Sequence, residues 1–268
     1  MTRAGPGAGL LAGAPLIDRL MFGRPWRVRP AQAGPHTQGW QASRLTHMNA
    51  DGLLLEGWLG APLDQTPHTL VVYFGGRNEH VGWAPQWLSW LGPGWALACF
   101  NYRGFGRSAG QPAEGACVRD ALELIAALCG RTGLPPERLA LIGRSLGTCV
   151  AMQAAAHVQP AAIALVTPLA SLVTRVRATV LLAPASPLVR GRFDSLAVAP
   201  LVRCPALVVL AARDLTVPHG QSLMLAERLS GLERVVRIPA SHHLSVSRDV
   251  RTLGAVADFL NRAVGVDP

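Results

Sequence analysis

The stretch LALIGRSLG, residues Leu139–Gly147, contains the pattern that decides the fold. Its first four residues, Leu139–Ile142, form a short apolar run typical of a buried strand. The rest matches GxSxG, which makes a sharp turn between a strand and a helix and exposes the serine oxygen, since glycine tolerates the turn. A helical pattern begins at once and covers Leu146–His157. We therefore predict that Ser145 lies on a strand-to-helix turn and is a candidate nucleophile.

A second GxSxG match, GRSAG, occupies Gly106–Gly110. Its serine, Ser108, is followed by Gln111 and Pro112, which indicate a loop rather than a helix. We therefore predict Ser145 as the nucleophile and Ser108 as a loop residue.

Strand and helix patterns alternate on both sides of this motif. Short apolar runs predict core strands at Leu70–Phe74, Ala96–Tyr102, Leu139–Ile142, Ala161–Val166, Ala206–Ala211 and Val235–Pro239. Apolar residues spaced by three and four predict helices at Trp83–Leu91, Glu114–Cys129, Leu146–His157, Gln221–Leu229 and Thr252–Val264. This alternation predicts an α/β fold with a mostly parallel sheet and helices on both faces. Residues 42–60 predict an antiparallel pair in front of it, and the interval between Thr167 and Arg203 leaves room only for a small cap.

Length and composition predict the domain organisation. Of 268 residues, 50% are hydrophobic and 15% are charged, which excludes a disordered chain. We predict one α/β domain at residues 42–268 after a basic arm at residues 1–41. All 25 basic residues are arginine, and residues 1–50 hold six of them against one acid, Asp18, so +5 of the net +9 lies there. No nucleic-acid-binding motif accompanies this charge, and we expect no nucleic-acid partner.

The cysteine spacing and the length of the apolar runs indicate the cellular compartment. Five scattered cysteines without a CxxC pair predict neither a disulfide framework nor a zinc site, and we expect buried thiols in a reducing cytosol. The run Ala8–Ile17 is too short to span a bilayer, and Gly147, Pro160 and Pro168 interrupt the uncharged Ser145–Thr174. We predict a cytoplasmic protein with no integral membrane segment.

A serine nucleophile needs a histidine base and a carboxylate that orients it. Asp214 follows the strand Ala206–Ala211, and His242 and His243 follow the next strand, which places all three at the carboxyl edge of the sheet. The competing acid, Asp194, precedes its nearest strand. Asp214 is therefore the predicted carboxylate, while periodicity leaves the choice between His242 and His243 open, with the second histidine lining the mouth.

Backbone amides are the expected donors to an oxyanion at this edge. One is the amide of Leu146, at the N-terminus of the helix after Ser145. The second is expected in the loop Gly75–Glu79 after the first long strand, where paired glycines allow close approach to a substrate.

The chain resembles the serine α/β-hydrolases, in particular the small-lid branch with serine aminopeptidase-like proteins and α/β-hydrolase-domain depalmitoylases. The resemblance rests on four stretches, NYRGFGRSAGQP at Asn101–Pro112, LALIGRSLG at Leu139–Gly147, ARDLTVP at Ala212–Pro218 and IPASHH at Ile238–His243. It implies a triad of Ser145, Asp214 and His242. Gly76, one of the paired glycines, and His243, the second histidine, are then the candidate substrate-binding residues. The resemblance also implies the Arg77 amide as the second oxyanion donor, although the family usually has His-Gly-Asn or Gly-Gly-Asn where this chain has Gly-Gly-Arg.

This resemblance implies hydrolysis of carboxylic esters or thioesters through an acyl-enzyme, without a cofactor or metal. A peptidase or aminoacyl hydrolase with the same triad, or an idle binding protein, remains an alternative. Trp83, Trp87 and Trp90 share one helical face and line either an acyl pocket or the core. Arg77 either favours an anionic substrate or is an ordinary surface arginine.

Overall fold

A computed structural model describes residue 22 and residues 39–171 and 193–265 of the chain. Its centre is an eight-stranded sheet in the order β1-β2-β4-β3-β5-β6-β7-β8. Strands β3 to β8 form the parallel part of the sheet. Strand β2 pairs antiparallel with β1 on one side and with β4 on the other. The strands are β1 Trp40–Met48, β2 Leu54–Pro62, β3 Thr69–Phe74, β4 Trp95–Phe100, β5 Leu139–Arg144, β6 Ala162–Val166, β7 Ala206–Ala211 and β8 Leu232–Ile238. The predicted mostly parallel α/β architecture is confirmed.

Helices cover both faces of this sheet. The α-helices of the described residues are α1 Leu88–Leu91, α2 Glu114–Thr132, α3 Leu146–Val158, α4 Ser195–Val198, α5 His219–Ala226 and α6 Val250–Val264. Short 3-10 helices lie at Val81–Trp87, Pro136–Arg138, Ala199–Leu201 and Val246–Arg248. Gly133 ends α2 in the left-handed conformation, φ 71°, and the Asp249 side chain caps α6.

The core has one layer on each side of the sheet because side chains alternate along a strand. In β3, Leu70 and Val72 join the layer against α2 and α3. Val71 and Tyr73 join the opposite layer, which contains Phe259 of α6. Full burial of β3, β5 and β7 fits central strands that are covered on both faces.

The predicted boundaries agree best where the apolar runs are short and isolated. Strand β7 has the predicted bounds. Most of the helix predicted at Trp83–Leu91 is instead a 3-10 helix that contains Pro85, which lacks the N–H needed for α-helical hydrogen bonding.

Two predictions fall largely outside the described residues. Residues 172–192, in the connection where we expected a small cap, are among them, as are residues 1–21 and 23–38 of the predicted arm. Phe22 of that arm is fully buried and packs against Tyr102, Phe105 and Phe193. In the described part of the chain, every helix is too short or too polar to cross a bilayer.

Candidate active site

The turn between β5 and α3 places Ser145 at the carboxyl edge of the sheet. Ser145 has φ 51° and ψ −118°, a strained conformation for a residue other than glycine. The two motif glycines make this turn possible because a side chain would clash. A Cβ on Gly147 would lie 2.1 Å from the Phe74 carbonyl oxygen, and one on Gly143 would lie 2.7 Å from Thr148 Cα. The motif therefore forms the strand-to-helix turn that its spacing predicts.

Three side chains from separate loops form a hydrogen-bonded chain at this turn. His243 Nε2 lies 2.9 Å from Ser145 Oγ, and His243 Nδ1 lies 2.8 Å from Asp214 Oδ2. The imidazole can donate from Nδ1 to Asp214 while Nε2 accepts from the serine hydroxyl. This arrangement can deprotonate the serine as the serine attacks.

This geometry corrects the expectation that His242 is the base. The His242 amide donates to Ser245 Oγ, and its carbonyl accepts from the amides of Ser245 and Val246. This tight turn leaves His242 exposed and turns His243 inward, where it is 8% exposed. His243, expected at the mouth, thus occupies the position between Ser145 and Asp214.

Asp214 is held by its own loop as well as by the histidine. Its Oδ1 accepts hydrogen bonds from the amides of Thr216 and Val217, both at 2.8 Å. Burial on its own would raise the pKa of Asp214, but the hydrogen bond from His243 and the two amides outweigh burial and lower it. The carboxylate therefore stays ionised beside the imidazole. The competing acid, Asp194, instead caps α4 through a bond from the Ala197 amide.

Of the two predicted oxyanion donors, Leu146 follows Ser145 in the chain and Arg77 follows Gly76. The Leu146 amide is the first of α3, and the first amides of a helix have no intrahelical acceptor. Within the described residues, the Arg77 amide also donates to no protein atom. Gly76 lies close to the nucleophile, since a Cβ there would be 3.4 Å from Ser145 Cβ.

Sequence reasoning missed a buried ion pair behind the site. Arg144 Nη1 lies 2.9 Å from Glu79 Oε2, and the two side chains are 7% and 9% exposed. Arg144 Nη2 also donates to the carbonyl oxygen of His243 at 2.9 Å. A sequence signal exists, because an arginine between two buried elements needs an acidic partner, and Glu79 follows β3.

The serine of the second GxSxG motif, Ser108, is hydrogen-bonded to the protein backbone. Ser108 is 6% exposed, donates to the Asn101 carbonyl and accepts from the Glu56 amide. These bonds hold the loop after β4 against β2, and Ser108 is the loop residue that the pattern predicts.

The three tryptophans do not form one surface. Trp87 is fully buried in the core, whereas Trp90 is 41% exposed and lies near Gly254 of α6. Trp83 donates from Nε1 to Glu79 Oε1 at 2.9 Å, and the guanidinium of Arg248 stacks on its ring at 4.5 Å.

Within the described residues, no group of three or more histidine, cysteine or acidic side chains is arranged to hold a metal ion.

The sequence of this chain is similar to a known protein family and to individual proteins. Residues 65–198, half of the chain, match the family model described as serine aminopeptidase, S33. An uncharacterized protein of Mycobacterium tuberculosis is 29% identical over 200 residues, which cover 72% of this chain and 69% of that protein. An α/β-hydrolase domain-containing protein of Caenorhabditis elegans, aho-3, is 24% identical over 198 residues, covering 72% of this chain and 58% of that protein.

Solved structures with the same fold include esterases. The Pyrococcus furiosus esterase Pf2001 superposes with a TM-score of 0.72 at 17% identity, covering 90% of this chain and 100% of that chain. Est1E from Butyrivibrio proteoclasticus, solved with ferulic acid, has a TM-score of 0.69 at 16% identity and covers 82% and 99% of the two chains. By its family match and its fold, this chain belongs to the serine aminopeptidase S33 family of α/β-hydrolases.

Proposed function

We propose that this protein is a serine hydrolase that cleaves carboxylic esters or thioesters of small molecules through an acyl-enzyme. The observation that carries the proposal is the unbroken chain from Ser145 Oγ through His243 to Asp214, with distances of 2.9 and 2.8 Å. Nucleophile, base and orienting carboxylate are within hydrogen-bond reach before substrate binds.

The first half-reaction forms the acyl-enzyme. Ser145 Oγ attacks the acyl carbonyl carbon while its proton moves to His243 Nε2, and the carbonyl oxygen becomes an oxyanion. The amides of Leu146 and Arg77 donate to that oxyanion, and Asp214 stabilises the imidazolium. The bond to the leaving group then breaks, and the alcohol or thiol takes the proton from His243.

The second half-reaction releases the acid. Water gives a proton to His243 Nε2 and attacks the acyl carbon, which forms a second oxyanion at the same amides. The bond to Ser145 breaks, the serine regains its proton from His243, and the carboxylic acid leaves. The cycle consumes one water, and we propose no cofactor.

The charges around the site favour esters over substrates with a free α-ammonium group, which a carboxylate would have to bind. Five described carboxylates that follow parallel strands in the chain already bond to protein groups; they are Glu79, Glu114, Asp194, Asp214 and Asp249. Two exposed residues that neighbour the site in the chain, Arg77 and Arg213, carry positive charge. An uncharged or anionic acyl group suits this environment better than an aminoacyl group does.

A substrate panel tests the proposal and separates it from the aminopeptidase alternative. We would assay p-nitrophenyl esters of two to twelve carbons, acyl thioesters of the same lengths and aminoacyl p-nitroanilides, on wild type and Ser145→Ala. We expect ester or thioester turnover that Ser145→Ala abolishes. Turnover of the anilides alone would assign a peptidase, and turnover that survives in Ser145→Ala would overturn the mechanism.

A further inference from the structure

Arg144 occupies the variable position of GxSxG directly before Ser145, and its side chain points away from solvent. Its two terminal nitrogens reach different loops, Nη1 to Glu79 Oε2 and Nη2 to the His243 carbonyl oxygen, each at 2.9 Å. The guanidinium therefore lies between the loop that follows β3 and the loop that carries His243. A planar group with two fixed donors suits such a bridge.

Glu79 extends this bridge to Gly76, in the loop Gly75–Glu79 where the second oxyanion donor is expected. Its Oε2 accepts from the Gly76 amide as well as from Arg144. Its Oε1 accepts from the Tyr73 hydroxyl and from Trp83 Nε1, both at 2.9 Å. Four donors from four residues hold this carboxylate in one orientation.

The bridge thus joins the three parts of the site that must keep their mutual geometry. Arg144 is covalently next to the nucleophile, and Gly76 is next to Arg77, whose amide is the proposed oxyanion donor. His243 receives its bond on its own carbonyl oxygen, two bonds from its Cα. Each reacting group is within one residue of an atom that this ion pair holds.

We propose that Arg144 and Glu79 are a positioning pair that sets the distances among the imidazole of His243, the Ser145 hydroxyl and the Arg77 amide. This role rests on the acyl-transfer function proposed above. Neither side chain touches the reacting atoms, and the pair acts through the backbone of His243 and Gly76.

The charge state of the pair supports this arrangement. Burial on its own would lower the pKa of Arg144, but the charge and hydrogen bond of Glu79, together with the other acidic groups around the guanidinium, outweigh burial and raise it. The guanidinium thus stays protonated and keeps both donors. Burial, with Glu79 adding to it, raises the pKa of Tyr73 well above the ordinary value, so that Tyr73 remains a hydroxyl donor to the carboxylate.

The test compares variants that remove the bridge without leaving a buried charge alone. Arg144→Met/Glu79→Gln removes both charges at similar volume, which avoids the cost of one unpaired ion. We expect a folded protein with kcat about 100-fold lower, because a displacement of about 1 Å costs about that much. KM for the best ester of the panel should change by less than about threefold, since binding groups are intact.

A second buried arginine pair in the same chain provides the matched control. Arg103 and Asp120 are 8% and 6% exposed and form a bidentate pair, but neither bonds to a triad loop. Arg103→Met/Asp120→Asn should lower the melting temperature while the folded fraction keeps the wild-type kcat. A loss of kcat confined to the Arg144 pair is a result that a merely structural role would not give.

Each outcome decides between the two proposals. Wild-type kcat in a folded Arg144→Met/Glu79→Gln variant would overturn the positioning role alone. If this variant does not fold, Arg144→Lys decides. One ammonium cannot span both acceptors, so we expect a drop in kcat of at least about tenfold at unchanged KM, and wild-type kcat would overturn the role. A wild type without Ser145-dependent turnover would overturn the proposed function, and the positioning role with it.

Discussion

The adjacent histidines provide the sharpest perturbation of the site, because the proposed base, His243, and the exposed His242 are neighbours in the chain. In His243→Ala the 2.9 Å bond to Ser145 Oγ and the 2.8 Å bond to Asp214 are both lost. In His242→Ala an exposed ring is removed whose residue bonds to Ser245 only through the backbone amide and carbonyl. The two variants therefore separate catalysis from general effects of the loop.

The expected magnitudes differ by orders of magnitude. Loss of the base from a serine triad costs about as much as loss of the whole triad, roughly 10⁶-fold in kcat, or about 8 kcal/mol of transition-state stabilisation. The oxyanion amides of Leu146 and Arg77 remain, so about 10³-fold acceleration over water should persist. Exposed substitutions usually change stability by no more than about 0.5 kcal/mol, and we expect His242→Ala to keep kcat within about a factor of two.

The assay is steady-state hydrolysis of the best p-nitrophenyl ester, with the folded fraction of each variant measured by circular dichroism. Full activity in His243→Ala, or a loss in His242→Ala as large as that in His243→Ala, would refute the assignment. Full activity in His243→Ala together with a large loss in His242→Ala would restore His242 as the base and place His243 at the mouth.

Three further predictions test the electrostatics and the core. Because the pKa of Asp214 is lowered, the folded state binds fewer protons than the unfolded state as the carboxylate titrates. The contribution of Asp214 to the free energy of unfolding is therefore present above about pH 4 and is lost as pH falls. Urea unfolding between pH 3 and 7 should show this loss in wild type and less of it in Asp214→Asn. Burial raises the pKa of Cys149 to about 12 and that of Cys204 to about 11, so both should resist alkylation at pH 8 in the native protein and react after unfolding, and rapid native labelling at either site would contradict their burial. Phe22→Ala should lower the free energy of unfolding by about 3 kcal/mol because this ring is fully buried, whereas Leu215→Ala, 98% exposed, should change it by less than about 0.5 kcal/mol.

The sequence predicts the parts of the fold that depend on short apolar runs. Strand β7 is bounded as expected at Ala206–Ala211 because Pro205 precedes the apolar run and Arg213 and Asp214 soon end it. Ser145 and Asp214 could be predicted to lie at one edge of the sheet because each lies in the turn or loop that leaves a core strand, and the carboxyl ends of parallel strands share that edge.

Side-chain direction in an irregular loop could not be predicted. Ala240, with φ 58°, turns the chain after β8, and the bonds between His242 and Ser245 then decide which histidine faces inward. No one-residue pattern encodes that choice. The Arg144–Glu79 pair could not be predicted for a related reason. Its two members are 65 positions apart in the chain, and the parallel pairing of β3 with β5 brings them together.

Covalent labelling by a fluorophosphonate tests the central claim most directly, because this probe reacts preferentially with a serine that a neighbouring base activates. We predict labelling of wild type at Ser145, identified by peptide mass spectrometry, no labelling of Ser145→Ala, and retained labelling of folded Ser108→Ala. Persistent labelling of Ser145→Ala, or labelling of wild type at any other residue in place of Ser145, would contradict the account.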